Sequence, residues 1–171
     1  MATFTQHQRE MPRIHLETHI ESDNIQVVFD LCRSIDLHLD SMEHTDERAI
    51  AGTTSGLIGL GETVTWRAKH FGIYQTLTSI ITDYEPHTFF ADEQKKGAFQ
   101  SFRHEHHISK KGAQIILIDI FDYTSPLGWL GKLADTLFLE KYMTNLLEQR
   151  NRVIKKYAET DLWKRVLPSE N

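Results

Sequence analysis

Between Glu47 and Tyr123 the chain reads as six strand-like segments in unbroken succession, at about 46–53, 62–71, 73–85, 88–94, 98–109 and 113–123. Strands joined by turns this short must pair antiparallel, because a parallel connection needs a dozen residues or more. Gly72, Glu85-Pro86-His87, Lys95-Lys96-Gly97 and Lys110-Lys111-Gly112 mark the turns, with residue types that tolerate or preset turn dihedrals. Such a meander has one apolar face to cover. A long stretch from about Leu130 to Ala158 can cover it. There Leu133, Leu137, Phe138, Tyr142, Leu146, Leu147, Val153 and Ile154 recur at three- and four-residue steps, while Glu140, Glu148, Arg152 and Lys155 fill the other face. This is an amphipathic helix longer than the globular average, so it must lie along a large surface.

Upstream, residues 13–21 alternate, with Ile14, Leu16, Thr18 and Ile20 on one side and His15, Glu17, His19 and Glu21 on the other. That is a half-buried strand. Ser22 or Asp23 is placed to cap a helix carrying Val27, Val28, Leu31 and Cys32, and a second short helix is expected from Ile35 to Met42. Residues 1–11 are polar and expected to fray. After Glu159, the residues Leu162, Trp163, Val166 and Leu167 predict a short extra helix, packed on the domain or on a second subunit. No linker, repeat or low-complexity segment divides the chain. The reading is one α+β domain over 1–171 with its core at about 13–159.

Alternation also assigns faces. In the second and fifth segments of the meander one side is polar. The other carries Val64, Trp66, Ala68 and His70, then Phe102, His104, His106 and Ile108. Successive strand side chains point to opposite faces, so three histidines belong to the covered face. Buried imidazoles need partners, or a cavity holding water or ligand. A pocket with polar fittings follows. In the last strand both faces are apolar, so Asp119 can be placed on either.

The formal net charge of -5 argues against a nucleic-acid partner. A single cysteine, Cys32, excludes an internal disulfide. It sits in an apolar helical stretch and reads as a core residue. The chain shows no charged start leading into an apolar run and no apolar run long enough to span a bilayer. A cytoplasmic protein without stable membrane insertion is expected. The Gly52–Gly61 segment matches neither a phosphate loop nor a dinucleotide fingerprint. A mobile hairpin connection is expected there, with Leu57 and Ile58 available to cover a cavity mouth.

Three stretches carry a family resemblance: Gly61 to Gly72 around Trp66 and His70, Gly97 to His106 around Phe102 and His104, and Asp119 to Gly128 followed by the long helix with Arg150. With the order strand, two short helices, six strands and long helix, the chain resembles the SRPBCC superfamily. That superfamily includes START domains, the birch-pollen-allergen family and bacterial polyketide cyclase/dehydrase-like proteins. Relatives often carry Trp where Phe102 stands. The resemblance implies a helix-grip fold: a curved antiparallel sheet around the C-terminal helix, with a cavity between them for an apolar or amphipathic small molecule. It does not imply one activity, since the fold hosts binders and enzymes alike.

Three chemistries compete at the histidines. His104 and His106 could share a metal, with His70 as a third ligand; but His70 need not lie near, and no metal or other cofactor is expected. His104 or His106, oriented by Asp119, could act as an acid–base pair. Or the three could satisfy one another and orient a ligand head group. The expected ligand-binding residues are Trp66, His70, Phe102, His104, His106 and Tyr123, and the catalytic candidates are His104, His106 and Asp119. Glu62, Asp92 and Arg103 read as solvated rim charges. The expected role is small-molecule binding. The alternatives are a cofactor-independent cyclase, dehydratase or isomerase, or an interaction protein with a filled cavity, and a homodimer is compatible with the sequence.

Overall fold

The computed structural model describes residues 12–125 and 138–167. Strand β1 (Arg13–Ile20) is followed by helices α1 (Ile25–Cys32) and α2 (Ile35–Ser41) and a 3-10 turn at Glu43–Thr45. Then come β2 (Arg48–Gly52), β3 (Thr63–His70), β4 (Ile73–Glu85), β5 (Phe89–Lys96), β6 (Ser101–Lys111) and β7 (Gln114–Thr124). Helix α3 (Glu140–Ala158) and a 3-10 turn at Asp161–Arg165 close the described chain. The expected helix start near Leu130 falls outside the described residues.

All seven strands form one antiparallel sheet in the order β1-β7-β6-β5-β4-β3-β2. The meander runs in chain order, and β1 crosses over to pair with β7. Register shifts at Ala49/Ala51, Thr78/Ser79 and Ile81/Asp83 put bulges into the β2–β3 and β4–β5 pairs. Each bulge bends its strand and increases the local twist, which curves the sheet. This is the expected helix-grip arrangement.

Local chemistry explains the ends of the elements. Asn24, rather than Ser22 or Asp23, caps α1: its Oδ1 accepts the Val27 amide at 3.1 Å. Ser34 Oγ accepts the Leu37 amide at 3.2 Å and caps α2. The β3–β4 hairpin turns on Phe71 (φ 52°) and Gly72 (φ 81°), with His70 paired to Ile73. Two left-handed residues in a two-residue turn match the twist of the flanking strands. A non-glycine residue is costly there. Phe71 is held by ring contacts with Phe138 and Tyr142 at the start of α3.

The expected stripe of α3 divides in two. Leu147, Arg150, Asn151, Ile154 and Ala158 are the buried positions, at i, i+3, i+4, i+7 and i+11. Ile154 and Ala158 join α1, α2 and the middle strands in the larger core cluster. Leu147 packs with Ile14, Phe102, Phe121 and Tyr123 in a second cluster. Tyr142, Met143 and Leu146 face a cavity between the clusters. Trp163, Val166 and Leu167 pack onto the larger core of the same chain.

The glycine-rich segment is anchored rather than loose. Leu57 bridges Ser34, the Ile35 amide donates to Gly56 O (2.9 Å) and the Ile58 amide donates to Arg33 O (3.2 Å). The Gly56 amide donates to Asp36 Oδ2 at 2.7 Å, and the Gly59 amide to Glu62 Oε2 at 2.7 Å. Ile58 is buried and lines the cavity. Glu62 is exposed, as expected, and its carboxylate also pins the segment.

Candidate functional site

Sheet and α3 enclose a cavity of about 440 Å³, within the usual range for small-molecule sites. Strand parity supplies the sheet wall: Val64, Trp66 and Ala68 from β3, Phe90 from β5 and Phe102 from β6. Leu139, Tyr142, Met143, Leu146 and Leu147 close the other side. Polar groups gather at two stations.

The deeper station lies on β5, β6 and β7. Register pairs Asp92 with His104 and His106 with Asp119, so the four side chains share the inward face. His104 Nε2–H donates to Asp119 Oδ1 at 3.0 Å. His106 Nδ1 lies 2.8 Å from the same oxygen, but its geometry is too poor for a full hydrogen bond. Asp92 Oδ1 is 3.9 Å from His104 Nδ1 and 3.6 Å from His106 Nε2. The two imidazoles are in contact, with ring centroids 3.9 Å apart, and His106 stacks on Phe90. Helix α3 completes the cluster. Asn151 Nδ2 donates to Asp119 Oδ2 at 2.7 Å, and Arg150 Nη1 lies 3.6 Å from Asp119 Oδ1 while its Nη2 donates to Cys32 O.

Burial decides the charges. Desolvation, reinforced by His106, pulls the His104 pKa from 6.5 down to about 4, so this imidazole is neutral near pH 7. Burial alone would raise Asp119; the hydrogen bond from His104 and the close approach of His106 outweigh it and hold the carboxyl well below its ordinary value. Asp92 follows the same balance, with burial opposed by His106 and His104 and a net lowering. Burial pushes the Cys32 thiol up to about 12, which removes it as a nucleophile.

The second station lies on α2, the α2–β2 connection and β3. His38 packs on Trp66, with the rings tilted by 31°, and its Nε2 is 3.4 Å from Glu47 Oε2. His70 Nδ1 is hydrogen-bonded to the Tyr142 hydroxyl at 2.8 Å. Strands β4 and β5 separate His70 from His104 and His106, so the three histidines cannot share one metal as weighed from the sequence. Burial lowers the His70 pKa. It raises that of Glu47, but there the contact with His38 wins and the carboxyl stays below its ordinary value.

Five of the six expected ligand-binding residues line the cavity: Trp66, His70, Phe102, His104 and His106. Tyr123 does not. It is fully buried behind Phe99 and Phe121, which line the cavity in its place. Asp119 lies behind the histidines, where it positions them without meeting a ligand. Asp92 is no rim charge, since it faces the cavity. Arg103 does point outward, into ion pairs with Asp83, Glu93 and Glu105. Sequence reading missed Asp92, Asn151, Glu47 and His38. Asp92 shares parity with Phe90, and Asn151 interrupts an apolar stripe; those signals could have found them.

No family model matches the sequence, and no curated protein matches it. Solved structures do match in shape. The protein TTHA0849 from Thermus thermophilus superposes with TM-score 0.65 at 14% identity, over 86% of this chain and 99% of that one. The ginseng major latex-like protein 151 from Panax ginseng gives 0.63 at 15%, over 88% and 99%. The di-domain ARO/CYC StfQ gives 0.65 at 13%, over 86% of this chain and 51% of that one. The chain has the helix-grip fold of the SRPBCC, birch-pollen-allergen-like proteins, as its sequence resemblance implies. None of its described helices is long and apolar enough to cross a membrane.

Proposed function

We propose that the protein binds an apolar or amphipathic small molecule between the sheet and α3. One observation carries this reading: a cavity of about 440 Å³ walled by aromatic and aliphatic side chains, with polar groups converging at defined stations. The apolar body of the ligand rests on Trp66 and Phe102. Its polar end meets Asp92, His104 and His106, or His38 and His70. The open volume counts against the filled-cavity interaction protein among the described residues.

A second reading, a cyclase, dehydratase or isomerase, draws on the bond from His104 to the buried Asp119 beside the cavity. The fold of StfQ, whose name describes an aromatase/cyclase of steffimycin biosynthesis, supports it by analogy only. Basicity favours binding instead. A general base works best with a pKa near the operating pH, and His104 at about 4 is a weak base. Native mass spectrometry of gently purified protein tests the proposal. A small molecule retained by the wild type and lost from an Ala68→Trp variant, which fills the cavity, is the expected result. Retention of the same molecule by that variant would overturn it.

A further inference from the structure

We infer that Asp92, His104 and His106 form a zinc-class divalent metal site at the polar end of the cavity, with one coordination position facing the cavity. The site goes beyond the binding role and does not rest on it, since metal uptake is read without any organic ligand. Each of the three residues offers one donor atom, and all three atoms lie within 4.8 Å of one another. Asp92 Oδ1 stands 3.6 Å from His106 Nε2 and 3.9 Å from His104 Nδ1. Donors around a tetrahedral zinc with bonds of 2.0–2.1 Å stand roughly 3.3 Å apart. Two of the separations are within a few tenths of an ångström of that value; the third, bounded at 4.8 Å, closes by rotation of the two imidazoles. The sheet fixes the set: Asp92 pairs with His104 across β5–β6, and His106 is the next residue on that face of β6.

The outer nitrogens carry the argument further. His104 Nε2 and His106 Nδ1 both approach Asp119 Oδ1, at 3.0 and 2.8 Å. A carboxylate only accepts, so the His104 hydrogen sits on Nε2 and its lone pair on Nδ1. That Nδ1 is turned towards Asp92 Oδ1, so two acceptors face each other in a buried place beside His106 Nε2, an arrangement that a cation relieves. Metal-binding histidines characteristically donate their other N–H to a carboxylate, which fixes tautomer and ring orientation. Asn151 and Arg150 hold Asp119 back in that outer role. The local charge agrees, since the carboxylates of Asp92 and Asp119 face the single guanidinium of Arg150. Two imidazoles and one carboxylate suit zinc or ferrous iron rather than calcium or magnesium. Three protein ligands leave a position for water or for an oxygen donor on the cavity ligand: a carboxylate, phenolate or hydroxyl.

The test is metal alone on the full chain. After chelator treatment and dialysis, the protein is titrated with Zn²⁺ by calorimetry and with Co²⁺ by visible absorption. One metal per chain is expected, with the intense Co²⁺ bands of a four- or five-coordinate site, and a raised melting temperature. Asp92→Asn and His104→Gln should lose the stoichiometric site, and Asp119→Asn should weaken it by roughly 10–100-fold. His19→Gln, on the outer face of β1, should bind as wild type. Substoichiometric uptake, or undiminished uptake in folded Asp92→Asn and His104→Gln chains, would overturn the site. If those variants do not fold, the wild-type spectrum decides: weak octahedral Co²⁺ bands mean surface histidines and refute the inference.

Discussion

Asp119 and Arg150 are the pair whose removal should be felt most. Asp119 is 1% exposed and Arg150 6% exposed, so each charge is shielded from water and depends on the other. Replacing Arg150 by Met leaves a buried carboxylate held by the neutral His104 and by Asn151, without its guanidinium. Replacing Asp119 by Asn leaves a buried guanidinium 3.6 Å from a neutral amide. Breaking a buried pair from one side costs about 3–5 kcal/mol, most of it the uncompensated charge. The double variant carries neither charge and should be less damaged than the sum of the singles, by about 1–3 kcal/mol. Urea unfolding at pH 7, followed by circular dichroism and tryptophan fluorescence, measures all four corners of the cycle on metal-free protein. Single-variant losses that add to within about 0.5 kcal/mol would show that the two charges do not depend on each other, and would refute this account of the cluster.

Acid should destabilise the metal-free protein early. The unfolded chain protonates His104 near 6.5, while the folded chain resists until about 4, so stability falls as pH drops through that window, by about 3 kcal/mol in all; denaturant midpoints between pH 7 and 4 should show this slope, and His104→Gln should flatten it. Gly52 has φ +77°, and an added Cβ would meet Thr63 O at 2.0 Å; Gly52→Ala should cost about 2 kcal/mol or more, and an unchanged melting temperature would contradict the β2–β3 register. Asp36 pins the glycine-rich segment through Gly56; Asp36→Ala should speed exchange of a bound fluorescent probe in stopped-flow displacement, and an unchanged rate would mean the segment does not gate the cavity.

The inward faces of β3 and β6 were legible because their alternation is strict and one side is clearly polar. Val64, Trp66, Ala68, Phe102, His104 and His106 all lie where period-two patterning puts them. Parity does not say which part of an inward face is cavity and which is solid core. Tyr123 shares the face of Asp119 and Phe121 yet is covered by Phe99 and Phe121 and does not reach the cavity. Asp92 read as a solvated rim charge although it shares parity with Phe90, and its pairing with His104 shows why it faces inward. Arg150 and Asn151 occupy core positions of α3 that an apolar-stripe reading skips. Their burial is tolerable only because Asp119 waits on β7, a partner 32 residues from Asn151 in sequence. The anchoring of the glycine-rich segment likewise depends on Asp36 and Arg33, which are remote from it along the chain.

Titration with an amphipathic fluorescent probe, 1-anilinonaphthalene-8-sulfonate, tests the central claim most directly when wild type is compared with Ala68→Trp. Ala68 is 4% exposed on the cavity wall between Trp66 and His70, so the larger ring takes up ligand volume far from Asp92, His104 and His106. Saturable binding of one probe per chain by the wild type, and its loss from a variant that still melts cooperatively, is the predicted result. Equal binding by both proteins would contradict a ligand site between the sheet and the C-terminal helix.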